Sequence, residues 1–140
     1  MKKVLVVFVI GLLIFGSCSA QNVNAQSSND AQRIVGTWIS SEFEFVFNAN
    51  GTGTLRPGQE LIASITEEFN AAAVAEISAN IHWGVSISGQ IYISFNFSSS
   101  NNRDISDFQR EISREFRNED IFLSPDSRRM ILAGEVFQKR

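Results

Sequence analysis

In Glu42-Phe43-Glu44-Phe45-Val46-Phe47 every second residue is a phenylalanine. A stretch patterned this way is confined to a strand with one aromatic face, because side chains alternate sides along an extended backbone. Asn48-Ala49-Asn50-Gly51 follows and supplies turn chemistry, since Asn-Gly tolerates positive φ. Thr52-Gly53-Thr54-Leu55 then returns, and Arg56-Pro57-Gly58 stops it. The same grammar recurs twice. Ile81–Ile87 and Gln90–Phe97 flank a Ser88-Gly89 turn, with Ile91, Ile93, Phe95 and Phe97 on one face. Ile121-Phe122-Leu123, the turn Ser124-Pro125-Asp126-Ser127, and Met130 through Phe137 read as a third hairpin. With an opening strand at Ile34–Ile39, these make about seven strands, all in antiparallel contexts. Twelve phenylalanines against two prolines suit such a core. The fold class expected is mainly β with some α, a small antiparallel β-barrel or highly curved sheet.

Two segments change period. From Gln59 to Ala79, Leu61, Ile65, Phe69, Ala72, Ala73 and Ile77 recur at helical spacing, and three alanines at 71–73 favour helix. From Asp104 to Asn118, Ile105, Phe108, Ile112 and Phe116 form one stripe, with Asp104 as the expected N-cap. These two inserted helices are expected to cover an open end or one face of the sheet.

Ahead of the strands stands an export signature. Lys2 and Lys3 precede a twelve-residue apolar run, Val4–Phe15, the length of a signal-peptide core and short of the roughly 20 residues that span a bilayer. Phe15-Gly16-Ser17-Cys18 resembles the lipobox of bacterial lipoproteins, with Phe15 where that family has Leu, Val or Ile. The resemblance implies a lipid on Cys18, the sole cysteine. Ordinary cleavage after Ala20 or Ala25 is the alternative. Residues 1–17 thus read as the signal peptide. Residues 18–31, polar and poor in apolar side chains, read as a flexible tether reaching about 20 Å. Residues 32–140 form the domain. The expected address is the cell envelope, anchored to a membrane through Cys18, or outside the cell in soluble form without the lipid.

Gly36-Thr37-Trp38 resembles the Gly-x-Trp motif that opens lipocalin and lipocalin-like barrels. Phe43–Leu55 (FEFVFNANGTGTL) is similar to the second and third strands of small bacterial lipocalin-like lipoproteins. The resemblance implies that Gly36 and Trp38 mark the barrel base, with a C-terminal basic residue lying over the indole. Arg128, Arg129, Lys139 and Arg140 are the candidates. It further implies an interior that holds a small apolar ligand or a lipid. Residues 32–140 are few for a roomy cup, and the helical segments are longer than a bare barrel requires.

Little else in the sequence carries chemistry. His82 is the only histidine, which makes neither a zinc site nor a catalytic triad. Glu67-Glu68 and Glu119-Asp120 are sequence neighbours, whereas an acid/base pair converges across a cleft. No catalytic residue, metal site or cofactor is expected, and the chain is read as a non-enzyme. A formal charge of −3 lacks the basic footprint nucleic acid requires, and no run of basic residues marks an anionic-lipid site. Two roles remain. Inward aromatics, Phe43, Phe45, Phe47, Trp83 and Tyr92, line a ligand site. Alternatively those rings fill a solid core, and the domain meets another envelope protein through its surface.

Overall fold

The computed structural model describes residues 27–67 and 69–140. Its element order is α1 (Ser27–Ile34), β1 (Gly36–Ile39), β2 (Phe43–Phe47), β3 (Thr52–Pro57), α2 (Gln59–Thr66), α3 (Ala71–Ala75), β4 (Ala79–Val85), β5 (Gln90–Phe97), α4 (Arg103–Glu115), β6 (Asn118–Leu123), β7 (Arg129–Leu132) and β8 (Glu135–Lys139). The strands form a closed antiparallel barrel in sequence order. Closure comes from β1 against β8, with Trp38 opposite Lys139 and Ile39 opposite Gln138.

The barrel has eight strands, one more than the sequence suggested. Met130–Phe137 is two strands rather than one, because the chain reverses at Ala133-Gly134 with φ of 52° and 79°. Two consecutive residues at positive φ make the hairpin turn whose twist matches its strands. Gly134 is the one turn signal there, and Ala133 at positive φ gives no second one.

The expected helix over Gln59–Ala79 is broken into α2 and α3. Asn70 adopts an extended backbone (φ −73°, ψ 166°), and its side chain accepts from the Ala73 amide at 2.9 Å, capping α3. The new axis turns Val74 inward and leaves Ala72 exposed. α4 begins one residue earlier than expected and ends three sooner. Its cap is Asn102, whose side chain accepts from the amides of Asp104 and Ile105, so Asp104 sits inside the first turn.

At the N-terminal side, the last residues of the segment read as a tether lie in α1. Arg33 holds this helix in place by donating to Ser127 Oγ at 2.7 Å and to the Ser124 carbonyl at 2.5 Å. Residues 1–26, with the signal peptide, Cys18 and most of the tether, lie outside the described residues.

An up-and-down barrel places alternate connections at opposite ends. The turns 48–51, 86–89 and 124–128 share one end with α1 and the C-terminus, which we call the base. The other end carries α2, α3 and α4. Leu61, Ile105 and Ile112, with Ile77 and Phe116 just beyond α3 and α4, join the barrel core and cork it.

Candidate functional site

The interior is where the resemblance places a ligand. Phe43, Phe45 and Phe47 of β2 point inward and are at most 1% exposed. They meet one another and the cork rather than empty space. Phe45 stacks on Phe47 with centroids 5.4 Å apart and meets the edges of Phe116 and Phe137 at 5.3 and 5.6 Å. Phe43 makes an edge-to-face pair with Phe116 at 5.5 Å, and Phe47 another with Trp83 at 5.3 Å. The Trp83 indole N–H is satisfied by the carbonyls of Asn48 and Thr52. Eight strands enclose a space just wide enough for side chains or one small ligand, and here the rings take that space.

Tyr92 does not belong with them. It faces outward at 52% exposure, opposite in parity to its neighbours Ile91 and Ile93. Its ring covers the outer side of Gly84, its cross-strand partner on β4, where a Cβ would lie 2.0 Å from the Tyr92 oxygen. Tyr92 therefore fills the hollow a glycine leaves on the wall.

At the base, Trp38 is fully buried, and its indole N–H donates to the Ile34 carbonyl at 2.6 Å. Of the four basic candidates, Lys139 is the one over the ring, its Nζ 5.2 Å from the centroid, while the same ammonium donates to the Arg33 carbonyl at 2.9 Å. Gly36 has φ 135°, and a Cβ there would sit 2.8 Å from Lys139 Cε. Gly36 thus lets the lysine stem cross the base. This is a structural clasp that ties α1, β1 and β8 together.

At the corked end the fold assembles an acidic group that no spacing in the sequence announces. Glu135, at the start of β8, has Oε1 buried without a hydrogen-bond partner. Burial, with Glu42 and Glu115 nearby, pushes its carboxyl up to about 7 against the pull of Ser40 and the Glu42 main chain. Burial also raises Glu115, helped by Glu42, Glu111 and Glu119, and raises Glu42, helped by Glu60. Among the described residues, no group of three or more His, Cys, Asp or Glu side chains is placed to hold a metal ion. His82 stands exposed on the outer face of β4.

A groove of about 370 Å³ opens on the wall between upper β5 and the end of α4, lined among others by Tyr92, Ser94, Phe95, Ser113 and Arg117. It exists because β6 pairs only with Gln90–Tyr92 of β5. Ile93 still donates to the Arg117 carbonyl at 3.2 Å, and beyond it α4 stands where a strand would continue.

No family model, curated protein or solved structure matches the chain.

Proposed function

We propose that this chain is an exported, lipid-anchored envelope protein whose barrel acts through its outer surface, as a structural or interaction domain. The observation that carries the choice is the filled interior. Phe43, Phe45, Phe47, Trp83, Phe116 and Phe137 occupy the position a ligand would take, under a cork of three helices. The alternative role, a lipocalin-like holder of a small apolar ligand or lipid, would need those rings to move apart. Each aromatic pair adds about 0.5–1.5 kcal/mol beyond its buried area, which resists that opening. The anchor rests on the apolar run Val4–Phe15 followed by Gly16-Ser17-Cys18.

The test is native mass spectrometry of the chain taken from membranes, beside the same sample denatured. The expected result is a diacylglycerol-sized addition at Cys18 that survives denaturation, and no further mass. A small-molecule mass that vanishes on denaturation overturns the solid-core reading. An unmodified Cys18, with no release from the membrane fraction on Cys18→Ser, overturns the anchor.

A further inference from the structure

The outer wall of β6, β7 and β8 breaks the alternation that usually leaves polar side chains outside. Phe122 pairs with Ile131, and Ile131 with Val136, so three apolar side chains form one row across three strands. They are 59%, 42% and 50% exposed. The next outward position on β7 toward the base is Arg129, and Arg128 stands in the adjoining turn; both are exposed. Gln90 pairs with Asp120, so two residues farther toward the base Ser88 comes level with Phe122. That brings in Ile87, 84% exposed at the tip of the β4–β5 turn. Of the six large apolar side chains exposed among the described residues, four therefore lie on this wall or beside it.

The chain enters the domain across the base, where α1 packs against β4 and its last turn reaches the β6–β7 corner. Arg33 of α1 is bonded to Ser124 and Ser127 of the β6–β7 turn. α1 starts at Ser27, nine residues after Cys18. Nine residues reach at most about 30 Å, which keeps the base close to anything holding Cys18. Charge is divided along the same axis. Arg33, Arg128, Arg129, Lys139 and Arg140 gather at the base, with Asp30, Asp120 and Asp126 among them. At the corked end Arg56, Arg103, Arg110, Arg114 and Arg117 are outnumbered about two to one by carboxylates, Glu42, Glu60, Glu111, Glu115, Glu119 and Glu135 among them. An anionic surface attracts the first end and repels the second.

We infer that the β6–β7–β8 wall lies against the anionic lipid surface to which the chain is tethered, with Phe122, Ile131 and Val136 in the headgroup region and Arg128 and Arg129 on lipid phosphates. The inference rests on the anchored reading and adds an orientation to it. The corked end then points away from the membrane. No long run of basic residues announces the face, because the fold brings the short pairs Arg128-Arg129 and Lys139-Arg140 together with Arg33.

The test uses the lipidated chain in vesicles of phosphatidylcholine alone or with phosphatidylglycerol. Lipidation blocks the thiol of Cys18, so Ile131→Cys offers a single site for an environment-sensitive fluorophore, and Asn80→Cys, exposed on β4 across the barrel, is the control. On vesicles containing phosphatidylglycerol the label at 131 shifts to the blue and loses iodide quenching severalfold, while the label at 80 does not. Arg128→Glu with Arg129→Glu abolishes the shift. A label at 131 that stays in water on anionic vesicles overturns the docking face. So does a shift that appears equally without vesicles as protein concentration rises, since a second copy of the chain then covers the row. Mass spectrometry of the same preparation reads the anchor separately, so the two failures are distinguishable.

Discussion

At the residue scale the clasp around Trp38 shows how one side chain does several tasks. Its indole fills the base, its N–H satisfies the Ile34 carbonyl at the end of α1, and its face receives Lys139. Trp38→Ala is expected to cost about 3–5 kcal/mol in chemical denaturation, because transfer and cavity terms add at a buried aromatic. Lys139→Met keeps the stem but loses both the cation over the ring and the donor to the Arg33 carbonyl, and should cost about 1–3 kcal/mol. That Trp38 packs the base was legible in Gly36-Thr37-Trp38. Which basic residue covers it was not, because the choice depends on the register that closes β8 on β1. Tyr92 is the opposite case. Its outward position was readable from the alternation that puts Ile91 and Ile93 inside, and grouping it with the other aromatics ignored parity.

Glu135 belongs to the same scale. Its carboxyl is raised from the ordinary 4.5 to about 7 by burial, with Glu42 and Glu115 adding repulsion. Between these pH values the folded chain holds a proton that the unfolded chain has released. Stability is therefore full below about pH 4.5 and falls as pH rises toward 7. Glu135→Gln removes this dependence and should stabilise the protein by about 1–2 kcal/mol at pH 8, once partial solvent screening is allowed for. Urea midpoints across pH 4 to 8 check it. A parallel decline in the variant would place the titrating group elsewhere.

At the scale of elements, the strands were the readable part. Strong alternation around Asn-Gly and Ser-Gly turns located β2 to β5, since period and turn chemistry agreed there. The helices were harder. Apolar spacing ran on through Asn70, yet Asn70 caps a new helix instead of continuing the old one, because its side chain competes for the backbone. α4 is held by a contact with no local signature. Gln109, on its buried face, donates to the Glu76 carbonyl at 2.7 Å and the Ser98 carbonyl at 3.0 Å, joining the end of α3 to the end of β5. Gln109→Ala orphans both acceptors and should cost about 1–3 kcal/mol, with α4 amides gaining the most in hydrogen-exchange rate. A loss spread evenly over the barrel would mean that Gln109 does not hold the cork.

At the scale of the whole molecule the two ends have different characters. The base gathers the clasp, Arg33, Arg128, Arg129 and Arg140, and the point where the chain enters from Cys18. The corked end gathers helices and an excess of carboxylates over its five arginines. None of this polarity is visible along the sequence, where acidic and basic residues alternate in segments such as Asp107–Glu115. It emerges only when an up-and-down barrel sends alternate connections to opposite ends. The solid interior has a similar origin, since it takes the inserted helices to bring Phe116 against Phe43 and Phe45.

The barrel wall is not uniform around its circumference. β4 and β5 share seven registered pairs, β5–β6 and β6–β7 three each, and β8 meets β1 in two. The thinnest seam is the one that closes the cylinder, where the last strand meets the first. Thermal opening follows the fewest bonds, so fraying should start where β8 leaves β1, at one edge of the wall bearing Phe122, Ile131 and Val136.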